Sequence, residues 1–272
     1  MTSFARRRIR NVLISLALAA GVVMVDWLYR LSMRPSSFLS GWTLAAVILL
    51  LAGYNLRKRL PMLPLGSSAA WLQLHIYAGL LTGVLFAVHV GYRLPNGRLE
   101  GTLAVLYCGV FLSGIGGLFL SRTLAARLTS HGEEVLYDRI PVFARRIRDE
   151  VHDLVLNCIS ESETSMIPEF YRRRLQTFFA RPRFAVHHLF HSVRPFRAAL
   201  LEIQSQDRYL NDRERSVMRE NEERIRLKDA LDYQYTLQTT LKYWLFLHVP
   251  LTYALLIFAA AHVLLVYAYF GM

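Results

Sequence analysis

His75, His89, His248 and His262 are the residues whose type and spacing point to chemistry. They fall in two pairs, His75-x13-His89 and His248-x13-His262, and all four lie in stretches that carry no Asp, Glu, Lys or Arg. In a helix, fourteen residues advance about 21 Å and make just under four turns, so both members of a pair project from nearly the same face. A neutral imidazole offers a lone pair to a metal. Two imidazoles meeting at one depth on facing helices form an axial ligand pair for haem iron. Two such couples would hold two haems, one above the other. A lone intramembrane histidine more often lines a polar pocket or meets a hydroxyl, but a matched spacing on two helices is hard to reach by accident.

The elements that must position these histidines are apolar helices. No charged side chain occurs from Leu60 to Tyr92, from Gly101 to Ser121 or from Tyr243 to Met272, and each run exceeds the roughly 20 residues needed to cross a hydrocarbon core. Asn11–Tyr29 and Ser40–Leu56 are also long enough, the first of them containing Asp26. The expected fold is therefore all-α: an integral membrane bundle of five spans with a helical cytoplasmic insertion. The expected organisation is spans one to four in 1–122, the insertion in 123–242 and span five in 243–272. One span separates the third from the fifth, so those two run in the same direction. His75 then matches His248 as an inner pair, and His89 matches His262 as an outer pair.

A formal charge of +12 raises the question of a nucleic-acid partner, and its distribution answers it. Residues 123–242 hold 20 basic and 18 acidic residues, a net of only +2. The other twelve basic residues flank the spans, where positive charge sets orientation. Eight (Arg6, Arg7, Arg8, Arg10, Arg57, Lys58, Arg59, Arg122) fall on one side, and Arg30, Arg34, Arg93 and Arg98 fall on the other. The bias places the N-terminus in the cytoplasm and the C-terminus outside, as in a bacterial-type inner membrane, and makes no case for nucleic acid. The first span, Arg-rich and then apolar past Ala20, reads as uncleaved rather than as a signal peptide. Cys108 lies in mid-span and Cys158 on the cytoplasmic side, so no disulfide is expected. No CxxCH motif occurs, which excludes covalently attached c-type haem.

The two His-x13-His pairs resemble the ligand pattern of transmembrane di-haem cytochromes b, the broad group that includes respiratory quinol-oxidising subunits. The resemblance covers the spans and not the insertion. It implies two haem b groups between parallel helices of a four-helix bundle, and electron transfer across the bilayer. It also implies a quinone or a cytoplasmic iron–sulfur or flavin protein on one side, a cytochrome c type protein outside, and membership of a multi-subunit complex. The chain departs from the group in its five spans, its long insertion and its lack of a Pro-Glu-Trp-Tyr quinol motif.

Other residues bear on the same site. Gly79 and Gly83, between the histidines of span three, would admit a porphyrin plane close to the backbone, or serve ordinary helix packing; Gly109, Gly114, Gly116 and Gly117 offer span four the same choice. Arg57, Lys58, Arg59, Lys242, Arg93 and Arg98 could pair with haem propionates or simply anchor the interface. Trp71 and Trp244, each four residues before a histidine, read as interfacial belt residues. Asp26 is either a proton acceptor or the partner of Arg30 four residues on, and the pair is the better reading. His187, His188 and His191 form an HHxxH cluster with no carboxylate or cysteine near in sequence, so basic surface is preferred to zinc. Pro141, Pro168, Pro182 and Pro195 mark expected helix boundaries, and Asn211–Leu241 reads as a long polar helix entering span five. The insertion has no nucleotide-binding loop, and Gly132 is its only glycine. Two alternative functions remain at this stage: a quinol oxidase or ferric or superoxide-type reductase working at the outer haem, and a haem-free anchor or transporter whose histidines relay protons.

Overall fold

The computed structural model describes residues 3–32, 37–59, 66–129, 135–161, 168–169, 171–205, 208 and 210–270. Arg34, Pro35, Ser36, Pro61, Pro64 and Gly132 lie outside them. The fold is all-α. Among the described residues five helices contain a segment long and apolar enough to cross a membrane: α1 (Ser3–Leu31), α2 (Ser37–Arg59), α3 (Ser68–His89), α4 (Arg98–Thr129) and, after several shorter helices, α9 (Asp212–Phe270). The shorter helices are α5 (Ile140–Glu161), α6 (Gln176–Ala180), α7 (Ala185–Leu189) and α8 (Arg194–Ser205). Helices satisfy their own backbone groups, which is what hydrocarbon demands. Leu13, Leu16, Met24, Phe119 and Leu264 are all more than half exposed, an apolar surface that suits lipid rather than water. The chain is a multi-pass membrane protein in contact with lipid.

Two compact units divide the chain, Met1–Phe119 with Trp244–Met272, and Leu120–Tyr243. In the first unit α2 and α1 pack along α3. The core is narrow: Leu44, Leu85, Tyr107 and Leu255 are buried, with Leu81, Phe86 and Phe111 packed against them. Tyr107 stacks on Phe86 at 4.0 Å and donates its hydroxyl to Thr82 at 3.0 Å. Gly83 faces the Phe111 ring so closely that a Cβ would stand 2.9 Å from it.

Local sequence fixes where α3 begins and ends. The Ser67 side chain accepts from the Ala70 N–H at 3.2 Å as N-cap. At the other end Gly91 turns left-handed (φ +65°), and the Tyr92 and Gly91 N–H groups return to the Ala87 and Val88 carbonyls, closing a Schellman motif. His89 is thereby the last residue of the helix.

α9 opens on a reciprocal capping box. The Asn211 side chain accepts from the Glu214 N–H at 2.8 Å, and the Glu214 carboxylate accepts from the Asn211 N–H at 2.9 Å. The helix then runs 59 residues, with Pro250 inside it. In the second unit Pro141 and Pro195 each stand second in their helices, α5 and α8, where the missing N–H costs least. Pro182 follows the end of α6.

The second unit has its own apolar core, built from Val151, Val155 and Cys158 of α5, Phe178 and Phe179 of α6, Leu200, and Val217, Met218 and Ile225 of α9. A buried polar layer lies beside it. Lys228 reaches both carboxylate oxygens of Asp232 at 2.6 Å and the Arg181 carbonyl at 3.3 Å, and Asp232 accepts from the Arg183 N–H at 3.0 Å. Both side chains are at most 4% exposed. Removing one partner strands the other charge, so Lys228→Met is expected to destabilise this unit by about 3–5 kcal/mol, while Lys228→Met with Asp232→Leu recovers most of the loss; chemical unfolding of the two variants measures this.

His188 Nε2 stands 3.4 Å from Asp229 Oδ1 in the same layer. Burial pushes the His188 imidazole down to about 4, with the charges of His187, Arg127 and Lys228 adding to the effect. Burial, then the neighbouring Asp232, pushes Asp229 up to about 6. A depressed histidine favours folding above its unfolded value near 6.5 and loses that contribution as pH falls toward 4. A raised aspartate acts oppositely, gaining stability as pH falls from about 6 toward its unfolded value near 4. The two slopes oppose one another between pH 4 and 6. Asp229→Asn should therefore raise stability at pH 7 and steepen the loss of stability below pH 6.5, read from thermal melts across that range.

Candidate haem-ligand site

Three of the four spanning histidines have a neighbour that orients the ring or meets its face, and the fourth meets His89. His89, at the end of α3, directs Nδ1 to the Ser37 carbonyl at the start of α2, 3.1 Å away, with the Ser40 hydroxyl at 3.5 Å. A carbonyl only accepts, so Nδ1 carries the proton and Nε2 keeps its lone pair. The ring fits because residue 41 is glycine: a Cβ there would stand 2.8 Å from His89 Cε1. The His262 ring faces it from α9, with ring centroids 6.5 Å apart and planes at 87°. The sequence expectation of an outer pair corresponds to this juxtaposition.

His248 is anchored in the same way on another helix. Its Nδ1 is 2.7 Å from the Ser113 hydroxyl of α4, and that hydroxyl gives its one proton to the Val110 carbonyl at 2.8 Å. Nδ1–H is therefore the donor, and again Nε2 is left for a ligand. Gly114 adjoins the ring, with room for a Cβ at 3.7 Å. Trp244 stacks on His248 at 5.4 Å and donates its indole N–H to the Ser113 carbonyl at 2.8 Å. Gly117 leaves Trp244 its place, since any Cβ there would collide with the indole. Trp244, expected from sequence at the interfacial belt, thus also packs on and orients His248. His75, expected to be level with His248, lies against the Tyr54 ring of α2 at 5.1 Å.

The remaining expectations fall into place around these rings. Gly83 packs on Phe111, whereas a Cβ at Gly79 would meet nothing within 4 Å. Asp26, 5% exposed, accepts from Arg30 Nε at 2.8 Å, and Arg30 lies 5.7 Å over the Tyr92 ring. Lys242 lies 3.7 Å over the Tyr137 ring and 3.7 Å from Asp138. A cleft of about 400 Å³ opens beside His262, lined by Arg98, Glu100, Leu265 and Tyr269. In the insertion His188 is buried while His187 and His191 are exposed, so the HHxxH residues do not converge. Among the described residues no three His, Cys, Asp or Glu side chains gather closely enough to hold a metal ion by themselves.

Haem asks for axial imidazoles with Nε2 directed inward and the other nitrogen tied to an acceptor. The donor set fits. A metal–nitrogen bond of about 2 Å on each side, plus the distance from nitrogen to ring centre, sets two imidazoles sharing one metal roughly 6–6.5 Å apart, which is the spacing of His89 and His262. Ser37, Gly41 and Ser113 were not legible as site residues in the sequence, whereas Gly114 stood among the small residues expected of span four. Their side chains and carbonyls are ordinary in a span, and only the packing of α2 on α3 and of α4 on α9 gives them a role.

Compared with known proteins, the chain matches no family model, no curated protein and no solved structure.

If the outer rings face each other as described, His89→Cys with His262→Cys, in a Cys108→Ala background, should cross-link within one chain through a short bis-maleimide. Either single cysteine should not.

Proposed function

We propose that the chain is a transmembrane electron-transfer cytochrome b subunit carrying two b haems, with His89 and His262 as outer ligands and His75 and His248 as inner ligands. The observation that carries the reading is the His89 site: Nδ1 held on the Ser37 carbonyl, Gly41 clearing space for the ring, and His262 across from it. Haem iron supplies a one-electron couple when bound. The chain's own part is to hold four imidazoles at two depths, fix the tautomer of two of them, and surround the rings with apolar side chains that exclude water. Tyr107, Phe86 and Phe111 fill the layer between the two depths. The arginine distribution supports a cytoplasmic N-terminus and an external C-terminus in a bacterial-type inner membrane. Electron exchange would then run between a quinone, iron–sulfur or flavin partner on the cytoplasmic side and a cytochrome c type partner outside, within a larger complex.

A second reading, substrate chemistry at the outer couple by a quinol oxidase or a ferric or superoxide-type reductase, draws support from the cleft beside His262. Glu100 and Arg98 there supply the acid and the cation such a site needs. Steady-state turnover by the purified chain, lost in Glu100→Gln with haem content unchanged, would favour it.

The purified protein should contain two non-covalent haems per chain by pyridine haemochrome assay and titrate in two one-electron steps. His89→Ala and His262→Ala should each abolish the same step, and His75→Ala and His248→Ala the other. Ser113→Ala should retain both haems and shift only the step lost in His248→Ala, because it removes the acceptor for Nδ1–H. A colourless protein, or four alanine variants that all keep two haems, would sink the proposal.

A further inference from the structure

Residues 170–201 of the second unit contain seven arginines, three histidines and no Asp or Glu, although residues 123–242 as a whole are nearly neutral. Arg172, Arg173 and Arg174 pair with Glu169 and Glu202 at the two borders. The middle of the segment presents Arg181, Arg183, Arg194 and Arg197, all exposed. Large apolar side chains stand exposed among them: Phe190 at 80%, Val186 at 63% and Val193 at 50%. A phenylalanine left that bare in water is unfavourable unless something covers it.

The backbone of this segment is held firmly while its side chains face out. The Arg181 carbonyl and the Arg183 N–H are tied to the buried Lys228–Asp232 pair. Phe184 (φ +60°) and His191 (φ +58°) turn the chain left-handed before and after α7. At the far end of α7, Arg127 of α4 donates to the Leu189 and His188 carbonyls, and its Nε to the Tyr233 hydroxyl. The α7 segment is therefore tied to α4 at Arg127, six residues past the end of that helix's uncharged run.

We propose that α7 and its flanks are a membrane-surface contact, in which Val186 and Phe190 enter the acyl boundary and Arg181, Arg183, Arg194 and Arg197 engage the phosphates of anionic lipid. The combination of arginines with a protruding aromatic and aliphatic side chain, and no acidic residue between them, is the chemistry of an interfacial anchor. A nucleic acid would use the arginines and leave Val186 and Phe190 in water. An acidic protein partner would cover all of them, and the experiment separates that case.

The test places a nitroxide at residue 190 (Phe190→Cys, Cys108→Ala; Cys158 is buried) in the full-length protein in nanodiscs. The ratio of oxygen to nickel-chelate accessibility is then read by electron paramagnetic resonance. In discs containing phosphatidylglycerol the label should report lipid immersion. In purely phosphatidylcholine discs, or with Arg181→Glu and Arg183→Glu, it should shift to the aqueous value. A label at Val186→Cys should follow the same pattern, and one at Leu156→Cys on α5 should stay aqueous throughout. Aqueous accessibility at 186 and 190 in both lipids, the result expected of a surface reserved for a protein partner, overturns the proposal. Immersion regardless of lipid charge overturns it equally.

Discussion

In hydrocarbon an imidazole N–H must find an acceptor or leave a costly polar group exposed to lipid. The structure meets that demand for His89 with a main-chain carbonyl at the first residue of α2 and for His248 with a serine hydroxyl on α4. Each bond does two things at once. It removes the desolvation penalty of the N–H, and it determines which nitrogen keeps a lone pair. The choice of neighbours follows from this: Ser37 within reach of His89, Gly41 giving the ring space, Ser113 accepting from both His248 and Trp244, and Gly117 giving way to the indole.

The membrane unit has few buried residues, and lipid explains why. Apolar side chains facing acyl chains need no internal partner, so the packed interior shrinks to a narrow cluster around Leu44, Leu85, Tyr107 and Leu255. The second unit obeys ordinary aqueous rules. Its α5, α6, α8 and α9 bury an apolar core, and beside it the buried Lys228 is paired with Asp232. It also leaves an aromatic and arginine surface exposed around α7.

Much of the membrane architecture was legible because hydrophobicity and charge act locally. Uninterrupted apolar runs, the helix boundaries at Pro141, Pro182 and Pro195, and the polar helix from Asn211 are all signals within a few residues of their effect. The i,i+4 pairing of Asp26 with Arg30 was equally local and is present. The contact of Trp244 with His248 and Ser113 was not legible, because only the facing helix supplies it. The HHxxH residues share a sequence motif, but a left-handed turn at Phe184 and burial of His188 alone send them to different environments.

By itself the sequence determined that five segments enter lipid and that histidines recur fourteen residues apart on two of them. Those properties follow from side-chain transfer energies and helical pitch, which need no knowledge of neighbours. Only the tertiary structure decided that His89 meets His262, that Ser37 and Ser113 hold two of the rings, and that His75 lies against Tyr54. Which faces of α2, α3, α4 and α9 pack together depends on side chains far apart in the chain, and no local pattern encodes that choice.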